Sequence, residues 1–209
     1  MPIETQPKAS TIEGFLEDFF AAKTGGLGSY EPREDTFLML EALEDLDLQG
    51  SKVLDIGTGS GILAAYCARR GSEVTASDVN VDVVQDLRLT ATRMRISMKL
   101  VVSDLFSKID ERFDIVVFNP PYLPSARAED RTTDGGKHGT RIIKNFLKLL
   151  GQHLTENGFA MLLVSSLNHP EDLARDYPGL LFEAIRQRLL FFESIYVMRV
   201  EQKKPASVG

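Results

Sequence analysis

Seven residues constrain this fold more than any others in the chain: Asp55-Ile56-Gly57-Thr58-Gly59-Ser60-Gly61. They join a short apolar run (53–56) to an apolar-periodic one (62–70). Glycines at such a junction let the backbone turn tightly and let a ligand approach without Cβ obstruction. A strand, a glycine-rich turn and a helix form the opening unit of an open α/β sheet, whose ligand crevice lies at the carboxyl ends of the strands. The alternation continues with a strand over 73–77, a helix over 82–94 and strands over 100–102 and 113–119. A helix over 140–154, a strand over 158–165 and a short helix over 170–177 follow. The unbroken run Ile115-Val116-Val117-Phe118 suits a strand covered on both faces. Residues 182–192 and 194–201 read as a final strand pair. The gap at Glu193 is too short for a crossover helix, so that pair is antiparallel. The expected fold class is α/β: a mostly parallel sheet with right-handed crossovers and an antiparallel hairpin at its end.

Ahead of this unit, Ser10 to Glu13 reads as a capping box opening a short amphipathic helix with Ile12, Phe15, Leu16, Phe19 and Phe20. Gly25, Gly26 and Gly28 end it, and a second periodic helix over 35–47 carries Phe37, Leu38, Leu40 and Leu43 on one face. Composition narrows the class. With 209 residues, 43% of them hydrophobic and 26% charged, one globular domain is expected. No apolar run approaches the roughly 18 residues that span a bilayer, and the first ten residues lack a signal-peptide core. Cys67 is the one cysteine, so no internal disulfide or cysteine-based metal cluster forms, and a cytoplasmic location is expected. The net charge of −6 runs against a general grip on nucleic-acid phosphates.

Acids follow the glycine turn at strand ends. Asp78 closes the second strand, where a carboxylate can accept hydrogen bonds from two ribose hydroxyls. Asp104 follows the third, placed for the exocyclic amine of an adenine. Two cofactors compete for such a site. Gly59-Ser60-Gly61-Ile62-Leu63-Ala64 satisfies a relaxed dinucleotide fingerprint, in which a helix N-terminus meets a pyrophosphate. The longer Asp-x-Gly-x-Gly-x-Gly spacing is that of a loop for S-adenosylmethionine, which has no phosphate, and favours the methyl donor.

Asn119-Pro120-Pro121-Tyr122, directly after the fourth strand, is the most specific feature. Its chemistry fits methyl transfer to a planar nitrogen, a poor nucleophile because its lone pair is delocalised. The Asn119 side-chain oxygen can accept one N–H and the Pro120 carbonyl the other. The prolines fix φ and stiffen the loop, so both acceptors are pre-organised. Tyr122 offers a ring face for the flat group. No strong base is needed before attack, because the proton can leave once the nitrogen is methylated and cationic.

With these motifs the chain resembles the class I S-adenosylmethionine-dependent methyltransferases, and within them the HemK-like family, over roughly residues 30–200. Tyr30-Glu31-Pro32-Arg33-Glu34-Asp35-Thr36-Phe37-Leu38 and Asp134-Gly135-Gly136-Lys137-His138-Gly139 carry a finer match to the short archaeal and eukaryotic members, which look like release-factor glutamine methyltransferases. The resemblance implies a Rossmann-like, seven-stranded sheet with an antiparallel C-terminal strand and helices on both faces. It implies donor contacts at Thr36, Asp55, Gly57, Thr58, Gly59, Gly61, Asp78, Val79, Asp104, Leu105 and Asn119. Asn119, Pro120, Pro121 and Tyr122 then hold the acceptor, the glutamine of a Gly-Gly-Gln loop in a class I release factor. Residues 30–201 form the methyltransferase domain, 1–29 a helix and linker, and 202–209 a tail. The short N-terminal part departs from the bacterial members, which carry a helical substrate domain. Short relatives work with a small zinc-binding activator subunit, so a partner of that kind is implied.

The same tetrapeptide also serves adenine N6 and guanine N2 methylation of nucleic acid. Between residues 124 and 148, six Lys/Arg face three acids, a local positive surplus that keeps this alternative open. A non-catalytic donor-binding partner subunit is a third reading, and a nicotinamide oxidoreductase a fourth. Among smaller features, Cys67 reads as a packing residue and His138 as a solvated loop residue, while His153 and His169 read as surface residues. Phe191-Phe192 are expected in the strand core and hairpin rim. The long loop 123–139 is expected to order over the acceptor.

Overall fold

The computed structural model describes residues 11–23, 32–122 and 140–204. In chain order the elements are α1 (Ile12–Ala22), α2 (Glu34–Glu44), β1 (Lys52–Ile56), α3 (Ile62–Arg69), β2 (Glu73–Asp78), α4 (Val81–Met94), β3 (Lys99–Val102) and β4 (Phe113–Phe118). They continue with α5 (Arg141–Leu150), β5 (Leu154–Ser165), a 3₁₀ turn (Ser166–Asn168), α6 (Pro170–Asp176), β6 (Leu180–Leu189) and β7 (Ser194–Gln202). One seven-stranded sheet runs in the order β3-β2-β1-β4-β5-β7-β6. All pairings are parallel except those of β7, which inserts antiparallel between β5 and β6. The doubly covered, mostly parallel sheet read from the sequence is thus present.

Alternation along the central strands builds two cores. Val53, Ile115, Val117, Met161, Leu163, Ile195 and Val197 face one, shared with α1, α2 and α3. Leu54, Ile56, Val116, Phe118, Ala160, Leu162, Val164, Met198 and Val200 face the other, shared with α5. Both faces of these strands are apolar because helices cover both, which is why β4 reads as an unbroken hydrophobic run. α1 sits in the first core: Phe15 and Phe19 are fully buried, and Phe15 meets the Tyr66 ring edge-on at 5.1 Å. Lys23, just past its end, donates to the Ser60 carbonyl at 2.9 Å and pairs with Asp86 at 3.4 Å.

Several expectations need correction. Thr11 caps α1 with its side chain, accepting from the Gly14 N–H, rather than Ser10, which lies outside the described residues. The helix expected over 35–47 ends at Glu44, and that expected over 140–154 ends at Leu150. Leu154 instead begins a longer β5, paired with Phe113 on β4. β6 stops at Leu189, and the turn closes through Leu190 N–H to Glu193 O at 2.8 Å. Phe191 and Phe192 therefore stand at the hairpin tip, 92% and 88% exposed, and not in the core. Their aromatic character suggested strand, but the reversal falls on them. His153 is half-buried and stacked on Phe106 at 4.2 Å, whereas His169 is exposed as expected. Cys67 is fully buried, as a packing residue should be. The loop 123–139 with His138, and the segment 134–139, lie outside the described residues.

Gly61 shows how tightly the turn is packed. Its φ is +80°, and a Cβ there would run into the Leu87 side chain of α4. Gly61→Ala combines left-handed strain with overpacking, so a loss of roughly 2–4 kcal/mol in urea-unfolding stability is expected.

Candidate active site

The carboxyl ends of β1, β2, β3 and β4 meet at one edge of the sheet, as parallel pairing requires. The glycine turn after β1 is left-handed at Gly57 (φ 60°) and Gly59 (φ 52°) as well as Gly61. Asp78, at the end of β2, fastens it: one carboxylate oxygen accepts the Gly59 N–H at 3.0 Å and the other the Asn80 N–H at 2.9 Å. Val79 beside it is 61% exposed, an apolar surface at the crevice rim. Asp104 is exposed after β3. Leu105 follows with φ 46°, and its carbonyl accepts from the Ser103 hydroxyl at 2.9 Å.

Asp55 is buried under the turn and accepts the Thr58 hydroxyl at 2.6 Å. Lost hydration pushes its carboxyl up to about 7, with the Thr58 hydrogen bond pulling the other way. An unfolded chain ionises this group near pH 4. Across roughly pH 4–7 the unfolded chain therefore releases a proton that the folded chain keeps, so folding stability falls as pH rises through that window. Asp55→Asn is expected to remove this contribution, up to about 4 kcal/mol, read as the difference in unfolding free energy between variant and parent across that range.

The second half of the site joins α2 to β4. Thr36 is buried, and Asp35 accepts both its N–H at 2.7 Å and its hydroxyl at 3.3 Å. The other Asp35 oxygen accepts the Asn119 side-chain N–H at 3.1 Å. Among the described residues, Asn119 Oδ1 is a buried side-chain oxygen with no hydrogen-bond partner. Pro120 is buried, and Pro121 and Tyr122 are half-buried. Asn168, in the 3₁₀ turn after β5, donates to the Tyr122 carbonyl at 2.8 Å while its own oxygen accepts the Ser165 N–H at 2.8 Å. Burial, and then the negative charge of Asp35, push the Tyr122 hydroxyl up, so it stays protonated. The structure thus gathers the expected residues at one edge and adds Asp35, Asn168 and Lys23. Asp35 stood in the motif beside Thr36 and could have been weighed; Asn168 lies 46 residues from its partner, with no local signal.

Residues 31–177 match the model of the methyltransferase small domain. The chain belongs to this methyltransferase family. Over 145 residues the methyltransferase is 34% identical to MJ0928 of Methanocaldococcus jannaschii, named provisionally as a protein N5-glutamine methyltransferase; the match covers 66% of this chain and 73% of that one. It is 30% identical over 162 residues to the human methyltransferase HEMK2, covering 70% and 76% of the two chains. Its structure resembles Mtq2 in the E. cuniculi Mtq2–Trm112 complex, responsible for methylation of the eRF1 termination factor, with a TM-score of 0.69 and 30% identity over 84% of this chain and 99% of that one.

S-adenosylmethionine is the methyl donor. The residues present fit it: a left-handed, Cβ-free cradle, with the acidic side chains of Asp55 on β1, Asp78 at the end of β2 and Asp104 just past β3 beside it. Among the described residues no group of His, Cys, Asp and Glu could hold a metal, and no helix is long and apolar enough to cross a membrane.

Proposed function

We propose that this methyltransferase modifies the side-chain amide nitrogen of a glutamine, in the Gly-Gly-Gln loop of a class I release factor. The observation that carries it is the buried Asn119 Oδ1 at the end of β4, which has no hydrogen-bond partner among the described residues. A planar –NH₂ group offers two N–H donors; Asn119 Oδ1 accepts one and the Pro120 carbonyl the other. Held so, the nitrogen lone pair stands out of the amide plane, aimed at the reacting carbon. Tyr122, kept neutral, packs its ring on the flat group. Thr36, Asp55, Gly57, Thr58, Gly59, Gly61, Asp78, Val79, Asp104 and Leu105 hold the donor, with Asp78 on the ribose and Asp104 on the adenine. When bound, S-adenosylmethionine supplies an electrophilic methyl carbon on a sulfonium. The amide proton leaves after transfer, to solvent.

The activity of Mtq2 toward eRF1 supports a release factor as acceptor. The presence of Trm112 beside Mtq2 supports an activator subunit, and a small zinc-binding one belongs to the proposal. So do residues 30–201 as the catalytic unit and a place in the cytoplasm, where release factors work. The basic surplus that favours nucleic acid is reduced where it is described, since Lys144 is paired with Asp176 at 2.8 Å. Radiolabelled donor offered in parallel to a release factor and to total tRNA and rRNA tests the reading. Label in the release factor, lost on Gln→Ala in its Gly-Gly-Gln loop, is expected; label in nucleic acid alone overturns it.

A further inference from the structure

We infer that Asp35 is a positioning residue that fixes which end of the Asn119 amide meets the acceptor. The inference rests on the proposed reaction for its purpose, but not for its geometry. An asparagine amide has two ends of nearly equal size and opposite hydrogen-bonding character, and it can turn over by rotation about its last torsion. With the oxygen toward the acceptor, Asn119 receives an N–H. With the nitrogen there, it sets donor against donor and repels the group it should hold.

Something must select one end, and the bonds around Asp35 do so. A carboxylate only accepts. Its Oδ2 takes the Asn119 N–H at 3.1 Å across 84 residues of sequence. If the amide turned over, its oxygen would face that carboxylate, two acceptors at hydrogen-bond distance. Asp35 is 3% exposed, so water cannot soften the clash. The carboxylate is itself held: Oδ1 takes the Thr36 N–H and hydroxyl, which leaves Oδ2 aimed at β4. The bond from Asn119 to Oδ2 reaches outside α2 and ties the helix to the end of β4. What remains is a buried Asn119 oxygen without a partner among the described residues, an arrangement that costs free energy unless an incoming N–H completes it.

The test exchanges the two groups. Asp35→Asn keeps the volume and can still accept from Thr36, but its new –NH₂ attracts the Asn119 oxygen and turns the amide over. A fall in kcat of about 10²-fold is expected, with donor affinity changed less than about threefold. Added to Asn119→Ala, the same change should cost nothing further. Asn119→Asp alone sets two carboxylates face to face and should be nearly inactive. Combined with Asp35→Asn it regains a hydrogen bond with an oxygen left over, so activity should rise at least about tenfold above Asn119→Asp. Independent, multiplicative losses, or no gain on exchange, overturn the inference and leave Asp35 a structural residue.

A second readout does not depend on the acceptor. In protein labelled with ¹⁵N-asparagine, the Asn119 side-chain –NH₂, assigned by its loss in Asn119→Ala, should exchange slowly with solvent and quicken in Asp35→Asn. Fast exchange in the parent protein overturns the inference whatever substrate is methylated. Slow exchange with label in nucleic acid instead overturns the glutamine reading and leaves the role of Asp35 standing.

Discussion

Asn119→Ala should lower kcat by about 10²–10³-fold while S-adenosylmethionine still binds, the size of loss seen when one preorganised polar contact to a reacting group is removed. The substitution leaves the acceptor nitrogen with one hydrogen-bond partner instead of two, free to swing away from the line of attack. It also removes the Asn119 N–H from Asp35 Oδ2, a buried loss of roughly 1–3 kcal/mol in stability. The protein should remain folded, since the sheet on either side of Asn119 is apolar and continuous. Single-turnover transfer with saturating donor, beside a calorimetric donor titration, separates the two effects. Full activity in the variant would remove Asn119 from the reaction.

Asp78→Ala should act on the opposite half of the site. Both carboxylate oxygens already hold backbone N–H groups, one in the glycine turn and one at the start of α4. Their removal releases Gly59 and withdraws the group proposed to meet the ribose. Charge-assisted hydrogen bonds are worth about 1.5–3 kcal/mol each, so the donor dissociation constant should rise about 10²-fold. Turnover at saturating donor should change little by comparison. Isothermal calorimetry is the decisive measurement, and an unchanged donor affinity would take Asp78 out of the site.

These two halves were legible to different degrees. Asp55 to Gly61 and Asn119 to Tyr122 are local patterns, in which spacing along the chain fixes spacing in space, and both lie where their strands end. The β7 reversal was readable because one residue cannot span a crossover. By contrast, the partners of Asn119, Tyr122 and Ser60 are 84, 46 and 37 residues away. Such pairings depend on how α2, the turn after β5 and the end of α1 dock, and no window of sequence carries that. Phe191 and Phe192 failed for another reason: aromatic residues favour strands on average, but the reversal point is set by register with β7. The longer β5 was missed because Leu154 suits either a helix end or a strand start.

The pairing of α2 with β6 also sets when the enzyme can become active during synthesis. Arg188 of β6 donates to the Glu34 carbonyl at 3.3 Å and pairs with Glu41 at 2.6 Å, and Arg186 pairs with Asp45. Glu34 is made 154 residues ahead of Arg188, so the helix that carries Asp35 and Thr36 leaves the ribosome well before the strand that ties it down. A nascent chain can assemble its glycine turn on β1 and β2 while α2 still lacks these ties to β6. The site is whole, and methyl transfer possible, only once the β6–β7 hairpin has closed on the sheet and tied α2 in place.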